Sequence, residues 1–521
     1  MAAIDLLKVM RKIGFLSPKG FMRFIVSVGR DGINIMLLLT MAALVYGNKT
    51  ALIAGGESLT YSQLKRRSET LAYGLSETFG LGKGAKTAFL CRNHAVMIQA
   101  LFAASRTGSS LYLLNPDMSQ RQFDALAAEH AFDLLIYDAE FQSLVHGSPY
   151  GKKTLVSRHP DLLSAEGLAK EERKGSARLK RASASRIVLL TGGTTGKPKE
   201  AVHRPSLFHY LNPFSELMAK LELQKRGAAY IATPIFHGYG IAILLTMLAL
   251  GKKVVIAERF DAATACTLVH RHAVDVITVV PVMIGKMLEG GPEKLETLKC
   301  IASGGAVLNP RLAKGVADSL GDVLFNLYGT SEAGLNLIAG PQDLANNPAT
   351  VGKSIRGTQM AVLENGMAKK PGEIGQLCVR NSWSMNNRKS GWIQTGDLGW
   401  RDGKGFYYLA GRTDDLIISG GVNIYPAEIE QALLAHPSIK DAAVVGVPEE
   451  RYGAIVKAFI QKTEGSTLDQ RAVVEWLRPM LATYQLPRSV EFVSELPYTD
   501  IGKLNRKILK GTGQRKEVDQ G

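Results

Sequence analysis

The sequence predicts an α/β fold with a large first domain and a small second one. Short apolar runs alternate with amphipathic helical segments from residue 59 to residue 328, which is typical of doubly wound parallel sheets. Short strands separated by turns follow from residue 347 to residue 408 and predict a β subdomain. Beyond Arg412 the pattern becomes a compact mixture of helices and strands. We therefore expect residues 1–411 to form the large domain and residues 412–521 a small α+β domain.

The strands are predicted from apolar, β-branched runs, and the helices from longer amphipathic segments between them. In the large domain, strands are predicted at residues 87–90, 110–114, 134–137, 187–190, 228–233, 253–256, 274–279, 300–306 and 323–328. Helices are predicted to begin at residue 59 and to cover residues 95–107, 119–130, 241–250, 262–272 and 282–288. In the small domain, regular elements are predicted at residues 424–434, 442–447, 454–461, 469–481 and 490–492.

The first 46 residues are the least typical part of the chain. Residues 33–46 form an uncharged apolar run that is too short to span a bilayer, and we interpret it as the first core helix. Residues 1–30 mix basic and large apolar side chains, so this segment can lie in a membrane interface. It lacks the small-residue cleavage site of a signal peptide. We therefore expect a cytoplasmic protein, with residues 1–32 as an interfacial extension and peripheral membrane contact through residues 1–30 as an alternative.

The net charge of +16 is concentrated in three basic segments, residues 1–31, 170–186 and 503–521. Such segments are usually solvated surface, and the alternatives are attraction to a polyanionic small molecule or to anionic lipid. No basic stretch is interleaved with aromatic residues, which argues against nucleic-acid binding. The four cysteines lie far apart and form no paired motif, so we expect a reducing compartment without a disulfide framework or zinc site.

A glycine- and threonine-rich loop follows the predicted strand at residues 187–190. Its glycines let backbone N–H groups approach an anion closely, and its hydroxyls and lysine add further donors. It is not a Walker A loop, because Lys197 is followed by Pro198. The loop is a candidate phosphate cradle, with Thr191, Gly192, Gly193, Thr194, Thr195, Gly196 and Lys199 as its predicted contacts.

Further motifs follow in a fixed order. They are Tyr328-Gly329-Thr330-Ser331-Glu332, then residues 391–397, 411–415 and 419–426, and finally Gly502-Lys503. Together with the glycine-rich loop, this ordered set resembles the adenylate-forming superfamily over residues 33–510. The resemblance implies an acid–thiol ligase that binds ATP, Mg²⁺ and coenzyme A. Such an enzyme activates a carboxylic acid to acyl-AMP with release of pyrophosphate, and then transfers the acyl group to CoA.

The resemblance also implies roles for individual residues. The glycine-rich loop would hold the β- and γ-phosphates, Tyr328 would stack on adenine, and Asn326 would bind its amino group. Ser331 would donate to the α-phosphate, Glu332 would hold Mg²⁺, and Asp397, helped by Arg412, would accept from the ribose hydroxyls. Gly304 and Gly305 end a predicted strand at the sheet edge where α/β folds bind ligands. The remaining candidate nucleotide contacts are Leu327, Gly329 and Thr330.

The small domain is implied to be mobile. Lys503 would bridge the carboxylate and the α-phosphate during adenylation. A rotation about a hinge at Asp414 would then withdraw Lys503 and bring Gly420 and Gly421 towards the pantetheine arm of CoA. The oligomeric state stays open, with a homodimer as one alternative.

His237 bears on the choice of acid. In peptide-synthetase adenylation domains an aspartate at this position pairs with the α-ammonium group, so a histidine disfavours amino acids. His237 matches the gating residue of acyl- and aryl-CoA synthetases. Glycines around the pocket, together with the interfacial character of residues 1–30, favour a medium- or long-chain fatty acid, and an aryl acid is the alternative. Two further alternatives are a ligase that loads a carrier protein and a non-catalytic nucleotide-binding protein.

Overall fold

The computed structural model describes residues 17–171, 179–183, 186–191, 199–203, 211–384, 391–449, 452–499 and 503–515. It confirms the predicted fold class, a large α/β domain followed by a smaller α+β domain. Within these residues the helices are α1 (Pro18–Asp31), α2 (Ile35–Tyr46), α3 (Tyr61–Phe79), α4 (Ala95–Thr107), α5 (Gln120–His130), α6 (Gln142–His146), α7 (Ala165–Lys170), α8 (Leu211–Lys220), α9 (Gly238–Ala249), α10 (Ala262–Arg271), α11 (Pro281–Gly290), α12 (Pro310–Leu320), α13 (Pro341–Asn346), α14 (Pro426–Leu434), α15 (Gln470–Leu477) and α16 (Arg506–Arg515).

The strands of the large domain are β1 (Thr50–Ala54), β2 (Glu57–Thr60), β3 (Lys86–Leu90), β4 (Ser110–Leu113), β5 (Leu134–Tyr137), β6 (Lys153–Val156), β7 (Ile187–Thr191), β8 (Lys199–His203), β9 (Ala228–Ile231), β10 (Lys253–Ile256), β11 (Val276–Val279), β12 (Cys300–Gly304), β13 (Leu324–Thr330), β14 (Gly334–Ala339), β15 (Thr350–Ser354), β16 (Gln359–Glu364), β17 (Met367–Ala368), β18 (Gly375–Arg380), β19 (Ile393–Arg401) and β20 (Tyr407–Arg412). Those of the small domain are β21 (Ile417–Ser419), β22 (Val422–Ile424), β23 (Ile439–Glu449), β24 (Gly453–Lys462) and β25 (Ser489–Val493).

Two sheets build the large domain. The first has the order β6-β5-β3-β4-β7-β8 and is parallel except for the β7–β8 pair. The second has fourteen strands in the order β17-β16-β18-β19-β20-β15-β14-β13-β12-β11-β9-β10-β1-β2. Helix α4 lies in the core and buries all thirteen of its residues, including Phe102. Because this helix is covered on all sides, most of its residues are apolar.

The predicted β subdomain is present, but its sheet is continuous with the parallel one. Strands β9 to β13 are joined in parallel, and the antiparallel β13–β14 hairpin then reverses the chain. Strands β14 and β15 pair, and β15 pairs with β20, so the antiparallel strands extend the sheet. The candidate nucleotide residues on β13 and β19 are therefore carried by one sheet.

The small domain packs its own core. The antiparallel β23–β24 pair, extended by parallel β25, is covered by α14 and α15, with Ile429, Val444 and Leu477 buried between them. Strand β20 ends at Arg412, and one 3₁₀ turn, Thr413–Asp415, leads into β21. We propose that the domain boundary lies at this turn. Among the helices of the described ranges, none combines the length and apolar character needed to cross a bilayer.

Candidate active site

A cavity of about 2330 Å³ lies where the two domains meet. One wall is formed by the carboxyl ends of β12 and β13, which is where open α/β sheets bind ligands. Residues of β19 and β20 form a second wall, and the segment around Lys503 closes the cavity from the small domain. The sequence-predicted residues that line it are His237, Gly304, Gly305, Asn326, Leu327, Tyr328, Gly329, Thr330, Ser331, Glu332, Asp397, Arg412, Asp414 and Lys503.

Asp397, Arg412 and Tyr328 form a hydrogen-bonded group at one end of the cavity. Asp397 on β19 faces Arg412 on β20 across the antiparallel ladder, and the Arg412 Nη1 donates to Asp397 Oδ1 at 2.9 Å. The Tyr328 hydroxyl donates to Asp397 Oδ2 at 2.7 Å. Burial raises the pKa of Asp397, whereas the Arg412 charge and the Tyr328 hydrogen bond oppose this rise. The group presents a carboxylate oriented by two donors, suited to accepting hydrogen bonds from a diol.

Asn326 and Gly329 fix the shape of the adjoining wall. The Asn326 side-chain amide donates to the carbonyl of Thr350 at 3.0 Å, which leaves its carbonyl oxygen as the group suited to accept from an amino group. Gly329 lies where β13 pairs with β14, and a Cβ at this position would collide with the carbonyl oxygen of Gly334. A side chain at residue 329 would therefore force the hairpin apart.

Glu332 and Ser331 lie in the turn after β13, partly exposed to the cavity. The backbone N–H of Ala333 donates to the Thr330 hydroxyl at 3.1 Å, which holds this turn. A single carboxylate beside a space large enough for phosphates suits Mg²⁺, because this ion usually keeps several waters and takes its other ligands from substrate phosphates. The residues present therefore fit the implied metal.

Lys503 reaches the same cavity from the small domain. Its backbone N–H donates to the Thr499 hydroxyl at 3.2 Å, and its carbonyl accepts from the Thr499 N–H at 2.8 Å. Beside it, Tyr498 and Leu504 form an antiparallel β-bridge. The residue keeps an exposed surface inside the cavity, yet protein surrounds it. Desolvation, followed by repulsion from Arg412, lowers the pKa of Lys503, while Asp397 and Glu332 oppose this shift. Charged groups of the large domain thus act on an ammonium that the small domain supplies.

His237 lies at the start of α9 and faces the cavity. Its Nε2 atom is buried without a hydrogen-bond partner among the described residues, and its ring lies 4.4 Å from that of Phe236. Burial, followed by the positive charge of Lys503, lowers the pKa of His237 to about 4. A neutral imidazole with an unpaired nitrogen therefore faces the space beside Lys503.

Some predicted residues lie elsewhere. Gly420 and Gly421 form the turn between β21 and β22, outside the cavity, where the Gly420 N–H donates to the carbonyl of Tyr452 at 2.9 Å. Thr191 and Lys199 are paired at the ends of β7 and β8. The remaining predicted phosphate contacts, Gly192, Gly193, Thr194, Thr195 and Gly196, lie outside the described residues, as does Gly502.

Two contributors to the site were missed by the sequence analysis. Arg506 holds the segment after Lys503, because its guanidinium pairs with Glu430 at 2.6 Å and with Asp415 at 3.3 Å. Its only sequence signal was its nearness to Lys503. Leu38 and Met41 of α2 line the cavity, although the apolar run at residues 33–46 was interpreted only as core.

Family comparisons agree with this geometry. Residues 39–387 match the AMP-binding enzyme family, and residues 428–503 match the AMP-binding enzyme C-terminal domain. The chain belongs to the AMP-binding enzyme family. The resemblance to the adenylate-forming superfamily is thereby confirmed, and the protein is an acid–thiol ligase that uses ATP, a carboxylic acid and CoA.

Named relatives of this AMP-binding enzyme act on aryl acids. Feruloyl-CoA synthase from Amycolatopsis sp is 30% identical over 90% of this chain and 96% of its own length. Indoleacetate–CoA ligase from Aromatoleum aromaticum has the same identity and coverage. Among solved structures, o-succinylbenzoate CoA synthetase from Bacillus subtilis with its acyl-adenylate has a TM-score of 0.77 at 27% identity, covering 91% of this chain and 97% of that one. ATP-bound MatB from Rhodopseudomonas palustris, at 24% identity and a TM-score of 0.80 over 92% of this chain and 99% of its own, supports the fold alone.

Proposed function

We propose that this enzyme converts an aryl-containing carboxylic acid to its CoA thioester, in two steps at one site. The observation that carries the proposal is that Lys503 from the small domain lies in one cavity with Asp397 and Glu332 from the large domain. In the first step, a carboxylate oxygen attacks the α-phosphorus of ATP, the bond from this phosphorus to the bridging oxygen breaks, and pyrophosphate leaves. In the second step, the CoA thiolate attacks the acyl carbon, the bond to the AMP oxygen breaks, and AMP leaves.

The proposed roles follow the charges of the cavity. Asp397 accepts from the ribose hydroxyls while Arg412 holds its carboxylate, and Asn326 accepts from the adenine amino group. Lys503 places its ammonium between the carboxylate and the α-phosphate, where negative charges approach each other. Glu332 would hold Mg²⁺, which would screen the phosphate charges. Neutral His237 adds no cation to compete with Lys503 for the incoming carboxylate.

The acid is proposed to lie along α9, which starts directly after His237. Relatives that act on ferulate, indoleacetate and 2-succinylbenzoate favour an aryl acid over the predicted fatty acid. One observation favours an aliphatic chain as the second candidate. The apolar cavity lining continues outward between α9 and α2, past Leu245 to Ala249 and Val45, and a twelve-residue helix is about 18 Å long. An extended acyl chain would fit this length.

Pyrophosphate release and thioester formation across a panel of acids test the proposal. The panel contains ferulate, indoleacetate, 2-succinylbenzoate, hexanoate and palmitate, each with and without CoA. We expect acid-dependent pyrophosphate release, and thioester only when CoA is present, with the largest kcat/KM for an aryl acid. Preference for palmitate would replace the aryl acid by the aliphatic candidate. Formation of acyl-AMP without any CoA thioester would instead favour a carrier protein as acceptor, and absence of both products would refute the proposed activity.

A further inference from the structure

Helix α1 turns its apolar side outward. A surface helix normally buries its apolar stripe and exposes its polar side. In α1 the fully buried residues are small or polar, namely Gly20, Ser27 and Asp31. Four of its six large apolar side chains, Phe21, Met22, Ile25 and Val26, are instead between 48% and 60% exposed, whereas Phe24 and Val28 are half-buried. Most of the large apolar side chains of this helix therefore face away from the protein core.

The tertiary structure brings a second basic segment beside this helix. The Arg181 Nε donates to the carbonyl of Val28 at 3.1 Å, and the Asn34 amide donates to the carbonyl of Ala182 at 2.8 Å. Residues 179–183 thus lie next to the end of α1, although they are about 150 positions away in sequence. The exposed basic residues of this part of the molecule are Lys19, Arg23 and Arg30 on α1, of which Arg30 pairs with Asp31, and Lys180 and Arg181 beside the end of the helix.

The same face adjoins the cavity. Phe24 on α1, Ile33 between α1 and α2, and Val45 near the end of α2 all line the cavity. Ile33 and Val45 are also 36% and 40% exposed, and the neighbouring Leu44 is 45% exposed. Apolar side chains therefore lie both on the outer surface and in the cavity lining in this part of the molecule.

We propose that this face, made of α1, Ile33, Leu44, Val45 and residues 180–181, binds the surface of a bilayer that contains anionic lipid. The exposed apolar side chains would enter the boundary between headgroups and acyl chains, and the basic residues would pair with anionic headgroups. A second copy is a poorer occupant, because a symmetric contact would bring two basic surfaces together. Bilayer binding does not depend on the proposed function. Delivery of an apolar acid from the bilayer to the cavity, in contrast, rests on the proposed function.

Co-sedimentation of the full chain with vesicles tests the proposal directly. The vesicles are phosphatidylcholine alone, or phosphatidylcholine with phosphatidylglycerol, at low and high salt. We expect binding to the anionic vesicles that weakens with salt. The variant K19E/R23E should bind at least tenfold more weakly, because each basic residue near an anionic surface contributes about a fivefold factor. The variant F21S/I25S should lose about tenfold through its lost apolar contact.

Matched variants on other surfaces serve as controls. L162S/L163S removes two side chains that are 58% and 53% exposed, and K299E/K314E reverses two exposed charges. Both controls should bind as the wild type does, and circular dichroism melting should show that all four variants are folded. Equal binding by F21S/I25S and the wild type would refute the proposal. Absence of vesicle binding by the wild type would also refute it. If sedimentation velocity showed a dimer that F21S/I25S abolishes, and no vesicle binding were found, the face would be a dimer interface and the proposal would be wrong.

Discussion

Two surfaces of the small domain carry family motifs, and they are in different positions relative to the cavity. The segment with Lys503 lies inside it, held by Thr499 and by the Arg506 ion pairs. The Gly420–Gly421 turn lies outside, against Tyr452. Both surfaces belong to one packed unit, so a rigid domain presents one of them at a time. The structure therefore has the arrangement expected for adenylation, and we propose that a rotation near Asp414 exchanges the two surfaces for the second step.

The largest expected effect comes from removing the charge inside the cavity. Lys503→Ala should slow acyl-AMP formation by about 10²–10³, the loss typical for one preorganised donor. Formation of thioester from added acyl-AMP and CoA should be nearly unchanged, because the other surface would serve that step. Pyrophosphate release and thioester formation measured separately give the two rates. Lys404→Ala, at an exposed lysine outside the cavity lining, is the control, and equal losses in both steps for Lys503→Ala would contradict the separation.

The pKa of His237 tests whether its side chain is buried in the cavity beside Lys503. Its folded pKa of about 4 lies below the ordinary value of 6.5, so between these values the unfolded chain binds a proton that the folded chain does not. The corresponding stability is present above pH 6.5 and is lost as the pH falls towards 4. The wild type should lose about 2 kcal/mol more than His237→Phe between pH 7 and pH 5, measured by urea unfolding, since one pKa unit is worth 1.36 kcal/mol. Matching pH profiles of the two proteins would show that His237 is not buried in this way.

Removing the Lys503 charge gives a second test, based on the pKa of His237. Because that charge contributes to the lowered pKa, Lys503→Ala should raise the pKa of His237, as followed by the imidazole proton resonances. An unchanged resonance midpoint would place Lys503 away from His237 in solution.

A smaller effect is expected from changes in the Gly420–Gly421 turn, which lies outside the cavity. Gly421 has a φ of +82°, where a side chain costs about 1–2 kcal/mol per residue. If this turn approaches the pantetheine arm as proposed, the added methyl group should slow thioester formation by about tenfold and leave pyrophosphate release unchanged, in addition to the strain that it shares with the control. Gly465→Ala is a matched control, because Gly465 has a φ of +74° in another turn of the same domain with open space around it. Slower adenylation in Gly421→Ala alone would mean that this turn already acts in the first step.

The smallest effect concerns contacts between the domains. Lys286 and Glu289 on α11 pair with Glu495 and Lys440 of the small domain at 3.3 and 3.0 Å. These pairs are exposed, so each contributes at most about 1 kcal/mol and is weakened by salt. Lys286→Glu should lower kcat/KM for adenylation by about twofold to fivefold at low salt. The double variant K286E/E495K should restore the rate, and a loss that persists at high salt would contradict an electrostatic origin.

Much of the site could be read from the sequence because local motifs encode local geometry. The Tyr328–Glu332 segment at the end of β13 and the strand carrying Asp397 were found from their motifs, and the described residues place both at the cavity. The fold class followed from the alternation of apolar runs and helical segments. The continuity of the antiparallel strands with the parallel sheet was missed, because periodicity gives the faces of a strand and not its neighbours.

The sequence by itself determined the family, the order of the motifs, and the identity of Lys503, His237 and Asp397 as site residues. Only the tertiary structure decided which surface of the small domain faces the cavity, since this depends on contacts between residues far apart in the chain, such as Lys440 with Glu289. It also decided that α1 faces outward beside residues 179–183. The amphipathic pattern of α1 shows that the helix has two sides, but the side that is buried depends on which surface the rest of the chain offers.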